Sequence, residues 1–148
     1  MPRLQVFAVC RDVITSQEEN VPTLVSIIDG FVIHVSAGHK FDLNIAMPAS
    51  WAVFISWRKV RGDEGKHFEQ RLRMKLPNGE YVTDILAQFD FPAQRKIVRV
   101  TQRTIGFPVQ VGEYLIELEI REVGAADWVR AADYIMEVGM VQDAESTE

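Results

Sequence analysis

Along most of this 148-residue chain, apolar and polar residues alternate with a period of two, the spacing of a strand rather than a helix. The pattern is cleanest over Gly112–Val123. There Tyr114, Ile116, Leu118 and Ile120 share one phase, and Glu113, Glu117, Glu119 and Arg121 mostly fill the other. Lys96–Thr104 alternates too, with Val98 and Val100 inward and Arg99, Thr101 and Arg103 outward. Leu4–Val13 and Ser50–Val60 are apolar on both phases for part of their length, which predicts strands covered on two sides. Thr23–Val35 is a β-branched run broken at Asp29-Gly30, read as two tightly joined strands or as one strand with a bulge. Phe41–Met47 predicts a short strand closed by Pro48. Trp128–Val141 fits a strand through Tyr134, Met136 and Val138, or a helical stripe through Trp128, Ala131, Ala132, Ile135 and Met136. The rhythm of its neighbours favours strand.

Phe68–Phe89 predicts a hairpin, because Asn78-Gly79 lies between two alternating runs and a type I′ turn needs positive φ at both central residues. That turn sets the register. One face carries the pairs Leu76–Tyr81, Met74–Thr83, Leu72–Ile85, Gln70–Ala87 and Phe68–Phe89. The other carries Lys75–Val82, Arg73–Asp84, Arg71–Leu86 and Glu69–Gln88. Pro77, just before the turn, points to a slightly wider loop. All six prolines fall at the start or in expected breaks, as residues that cannot donate to a ladder should. Together these segments predict an antiparallel β-sandwich of about seven to nine strands. Its core takes Trp51, Val53, Ile55, Trp57, Leu72, Met74, Ile85, Val98, Val100, Tyr114, Ile116, Leu118 and Ile120. The length suits one domain over residues 1–141, followed by a flexible acidic tail over 142–148.

Composition narrows the class without naming a chemistry. Cys10 is the one cysteine, so no intrachain disulfide and no zinc quartet can form. Neither a signal-peptide layout nor a membrane-length apolar stretch is present, and a cytoplasmic protein with no membrane partner is the expectation. The net charge of −5 hides an asymmetry: Arg58–Arg103 holds eleven Lys/Arg against six Asp/Glu. Arg71, Arg73 and Lys75 form one basic stripe, and Arg99 and Arg103 another. On an antiparallel sheet such charges pair with acids on facing strands, which argues for a solvated mixed-charge face over a polyanion site. The outward phase of the hairpin carries no aromatic side chain, which counts further against a nucleic-acid platform.

No catalytic set emerges. His34, His39 and His67 share no ligand spacing, so no metal site is expected. Cys10, with His34 or His39 as base and Asp29 or Asp42 as orienter, lacks anything that brings the groups together and reads as buried packing. No G-x-S-x-G elbow and no glycine-rich phosphate loop occurs, and no cofactor is expected. Asp63-Glu64 with Asp90 offers too few oxygens for calcium. Arg61-Gly62-Asp63 reads as turn chemistry. The candidate binding residues are His39, Asp42, Arg71 and Arg73.

Val111-Gly-Glu-Tyr-Leu-Ile-Glu-Leu-Glu-Ile120, with the Thr23–Val35 run and Trp128, resembles a family of small bacterial immunoglobulin-like β-sandwich proteins without assigned activity. The family often has proline before the glycine, where this chain has Val111. The resemblance implies an immunoglobulin-like fold, with Tyr114 bracing a strand corner through its hydroxyl, and it carries no site residues. The leading expectation is a non-enzymatic binding or accessory module with a protein partner, acting through loops or a sheet edge. An enzyme with a loop-borne site at His39 and Asp42, and a polyanion binder on the Arg71/Arg73 face, are the alternatives. Open sheet edges also allow a homodimer.

Overall fold

A computed structural model describes residues 1–36, 38 and 46–142, apart from the Thr83 side chain. The strands in chain order are β1 (Arg3–Thr15), β2 (Pro22–Ile27), β3 (Gly30–Val35), β4 (Ala46–Arg58) and β5 (His67–Lys75). They are followed by β6 (Tyr81–Asp90), β7 (Ile97–Pro108), β8 (Gly112–Glu122) and β9 (Val129–Gln142). Among the described residues they form two sheets, β2-β1-β4-β7 and β3-β9-β8-β5-β6. Every pairing is antiparallel except β3 with β9, which is parallel. Val129–Gln142 is strand, as the alternation of Tyr134, Met136 and Val138 predicts.

The core lies between the sheets. Trp51, Val53, Ile55 and Trp57 from β4 meet Phe68, Leu72 and Met74 from β5 and Tyr114, Ile116, Leu118 and Ile120 from β8. Ile85, Val98 and Val100 join it half-buried. Phe107 is the inter-sheet wedge: its ring centroid lies 5.2 Å from that of Phe31, 5.8 Å from Trp51 and 4.9 Å from Tyr114. The buried Trp57 indole N–H donates to Gln70 Oε1 at 2.7 Å, so neither polar group is left unpaired between the sheets. Cys10 and Val13 of β1 make a second, smaller cluster with Ala52 and Phe54 of β4.

Two breaks expected from proline lie inside strands. Pro48 sits within β4, where the register with β7 shifts between Met47 and Ser50; a residue in a bulge owes no ladder hydrogen bond. Opposite it, Gly106 takes φ +92° and lets β7 continue through Phe107 to Pro108. The remainder of the predicted Phe41–Met47 strand, residues 41–45, lies outside the described residues, as do residues 143–148 of the predicted tail. At Asp29-Gly30 the chain changes sheets: β2 ends in one and β3 begins in the other.

The hairpin tip differs from the expected two-residue turn. Gly79 N–H donates to Leu76 O at 2.8 Å and Leu76 N–H to Glu80 O at 2.8 Å, so Pro77, Asn78 and Gly79 form a three-residue loop with Gly79 at φ +91°. Proline at the second position of a type I turn, followed by a left-handed glycine, is the natural solution for this sequence. The wider loop slips the register by one, pairing Lys75 with Tyr81. A bulge at Val82 slips it back, so Met74–Thr83, Arg73–Asp84, Leu72–Ile85 and Phe68–Phe89 stand as expected.

At the β7–β8 corner the buried Tyr114 hydroxyl accepts the Gln110 N–H. It lies 2.8 Å from Pro108 O and 2.9 Å from Gln110 O, one of which takes its proton. Burial pushes this phenol's pKa up. Tyr114→Phe leaves the turn's polar groups without that partner. It is expected to lower unfolding free energy by about 1–3 kcal/mol in a denaturant titration, with the denaturant slope unchanged.

Candidate functional site

The outer face of the five-stranded sheet holds the candidates Arg71 and Arg73. β5 lies between β6 and β8, and the β5–β8 register sets Glu69 opposite Arg121, Arg71 opposite Glu119 and Arg73 opposite Glu117. Arg71 Nη2 reaches Glu119 at 2.6 Å and Arg121 Nε reaches Glu69 at 2.5 Å. Arg73 Nε lies 3.4 Å from Asp84 Oδ1, an ion-pair approach whose angle makes no hydrogen bond. Arg130, from β9, contacts both Glu117 and, at 2.5 Å, Asp133. Glu117 is the buried hub: a hydrogen bond from the Tyr81 hydroxyl to it raises the Tyr81 pKa.

Two aromatic rings complete this face, which corrects the expectation that it carries none. The Val82 bulge turns Tyr81 to the outer side, where the Arg73 guanidinium lies 4.0 Å from its ring centroid. Trp128, from the β8–β9 turn, takes Arg71 at 4.5 Å and Arg121 at 4.2 Å. At these distances each ring face attracts the guanidinium over it. Four arginines (71, 73, 121 and 130) here meet five carboxylates (Glu69, Asp84, Glu117, Glu119 and Asp133). Such a face presents little net charge to a polyanion, whose affinity depends on replacing counterions with unpaired cations.

The remaining candidates are scattered. His39 and Asp42 lie outside the described residues. His34 is on β3, and His67 opens β5 opposite Asp90. Among the described residues, no group of three or more His, Cys, Asp or Glu is placed to hold a metal ion. Asp63 is buried; its carboxylate accepts the Val60 N–H at 3.0 Å and meets the Met1 ammonium at 2.9 Å, so Arg61-Gly62-Asp63 is a turn with its acid turned inward.

Cys10 is fully buried, its Sγ 3.7 Å from Ala52 O, and burial pushes the thiol pKa up. A thiol needs its thiolate form and access to react. Maleimide labelling of the native protein at neutral pH is therefore expected to proceed only as fast as the chain opens, and to become immediate in denaturant. Rapid labelling of the folded protein would contradict this placement.

The grooves are open to solvent. One of about 660 Å³ runs between the β1–β2 and β6–β7 loops, lined by Asn20, Phe54, Arg95, Lys96 and Arg99 among others. Arg99 is already engaged, donating to Asn20 O at 2.9 Å. Another, of about 470 Å³, holds Lys66, His67, Asp90 and Glu122, with Lys66 tied to Glu122 at 2.9 Å.

The edges of the sheets differ more than their faces. β2 is six residues long, begins at Pro22 and holds Ser26 at φ +50°. β3 is also six residues long. β7 is long but carries Arg99 and Arg103, and Arg95 and Lys96 precede it. Arg103 reaches across the sheet to Val13 O at 2.7 Å. Short strands, bulges, prolines and basic side chains all hinder pairing with another chain. β6 has ten residues, no Lys, Arg or Pro, and its one bulge near its start. Leu86 at its middle is 60% exposed, with Val82 at 45%. Among the described residues β6 is thus the one long edge strand without proline or basic side chains, and sequence comparison adds no further constraint: the chain matches no protein-family model and no curated protein.

Proposed function

We propose that this chain is an immunoglobulin-like binding or accessory module, rather than an enzyme, and that it engages a protein partner by strand addition at β6. The observation that carries this is the contrast among edges: β6 alone among the four described edge strands is long and, past its bulge at Val82, free of blocking features. An added strand gains main-chain hydrogen bonds from the ladder and selectivity from alternate side chains, here Asp84, Leu86 and Gln88.

The immunoglobulin-like assignment draws on connectivity and on one corner. β4 and β7 correspond to the B and E strands, β5, β8 and β9 to C, F and G, and β6 to the C′ strand of variable-type domains. Tyr114 near the start of β8, bonded back to Gln110 and Pro108, has the arrangement of a tyrosine corner. The partner is a protein because strand addition requires an extended polypeptide.

The test is a photo-activated cross-linking residue at position 86, with position 113 on the outer face of β8 as control. Irradiation in an extract of the producing cell, followed by mass spectrometry, is expected to yield one reproducible, identified adduct at 86 and none at 113. Equal capture at both positions, or none at either, would refute the reading.

A further inference from the structure

We infer that the strand which pairs with β6 is β6 of a second copy, in antiparallel register centred on Leu86. This rests on the reading of β6 as a contact edge and goes further by naming the occupant and the alignment.

The argument is one of self-complementarity. On β6 the outer side chains are Asp84, Leu86, Gln88 and Asp90, as their pairing with Arg73, Arg71, Glu69 and His67 shows. A two-fold axis perpendicular to the sheet keeps the outer faces of both copies on one side, and it opposes residues of equal parity. Centred on Asp84, two Asp84 carboxylates would face one another. Centred on Ala87, Asp84 would oppose Asp90 twice. Centred on Ile85, Asp90 would oppose Glu80 of the second copy. Like charges directly opposite are destabilising. Centred on Leu86, the two exposed leucines cover each other, each Asp84 faces a Gln88 amide, and each Asp90 faces Val82. Of these alignments it is the one that opposes no like charges and buries the most exposed apolar side chain of the strand.

A two-fold operator also fits the general preference of soluble assemblies for isologous dimers. One strand pair buries less than the roughly 1,200 Å² of a stable interface, so the dimer is weak and concentration-dependent.

The register makes the test sharp. Directly opposed residues in an antiparallel pair have Cα atoms about 4.5–5.5 Å apart, within the roughly 4.4–6.8 Å that a disulfide spans. In the full chain, Leu86→Cys is expected to form a covalent dimer under mild oxidation about tenfold faster than Val82→Cys or Gln88→Cys, whose counterparts would not face themselves. Native Cys10, fully buried, does not compete. All three positions are exposed, and circular dichroism checks that each variant keeps the fold. Equal rates at the three positions would overturn the register. Absence of cross-linking at 86, together with only monomer in sedimentation up to millimolar concentration, would overturn self-pairing. In that case, photo-capture of a different protein at position 86 would leave the edge reading standing, whereas capture of nothing would end both.

Discussion

Phe107→Ala is expected to lower the free energy of unfolding by about 3–5 kcal/mol, the range for removing a buried aromatic ring. Phe107 is 1% exposed, belongs to the four-stranded sheet, and packs on Phe31 and Tyr114 of the other sheet as well as on Trp51 of its own. Its removal therefore opens a cavity where the two layers are joined. Neighbouring strands cannot collapse into it, because each is tied into its own ladder. A domain of this size has only about 5–15 kcal/mol to lose, so the variant should unfold at far lower denaturant than the parent. A loss below about 1 kcal/mol would mean that the ring lies on a surface rather than between sheets.

Gly30→Ala comes next in size, and for a different reason. A Cβ at Gly30 would lie 2.4 Å from the Glu137 carbonyl oxygen, a main-chain atom that cannot rotate away. The same junction is held by Glu137 N–H donating to Asp29 O at 3.1 Å. One methyl group must therefore push β3 away from β9 at the point where the chain changes sheets. Overpacking of this kind costs about 1–3 kcal/mol, sometimes more. Thermal unfolding of Gly30→Ala beside Gly139→Ala, a glycine whose added Cβ meets nothing within 4 Å, isolates the effect. Equal stability of the two variants would contradict the close approach.

Which parts of this fold could be read before the structure follows from the range of the forces involved. The inward phases of β4, β5 and β8 were legible, because burial writes a period of two directly into the residues. Arg73–Asp84 was legible for a less direct reason. The expected two-residue turn is replaced by a loop that includes Pro77, and the Val82 bulge then restores the register. Nothing local announces that bulge; it is set by Tyr81 turning outward to meet Arg73 and Glu117, which come from different strands. Phe107 was missed because it lies beyond the alternating Lys96–Thr104 run, and β7 reaches it through Gly106, opposite the bulge at Pro48. Trp128 was seen as a residue of the last strand but not as the ring over Arg71 and Arg121, since that contact needs the β8–β9 turn to fold back over the sheet.

The candidate surface shows the same division. Acids on facing strands were expected for the Arg71/Arg73 stripe, and β8 supplies Glu117 and Glu119. Which strand would be left open was not legible, because edge position is a property of the whole sheet order. Only once β5 is seen between β8 and β6 does the second half of the hairpin become an edge, and Leu86 an exposed side chain on it.

Residue-by-residue amide hydrogen exchange across a range of protein concentrations tests the role of β6 most directly. In dilute protein, the β6 amides that point away from β5 should exchange rapidly while those bonded to β5 are protected. As concentration rises, the outward β6 amides should gain protection, and those of β7 and β2 should not change. Outward β6 amides that remain unprotected at every concentration, and equally so when the cell extract is added, would contradict the account.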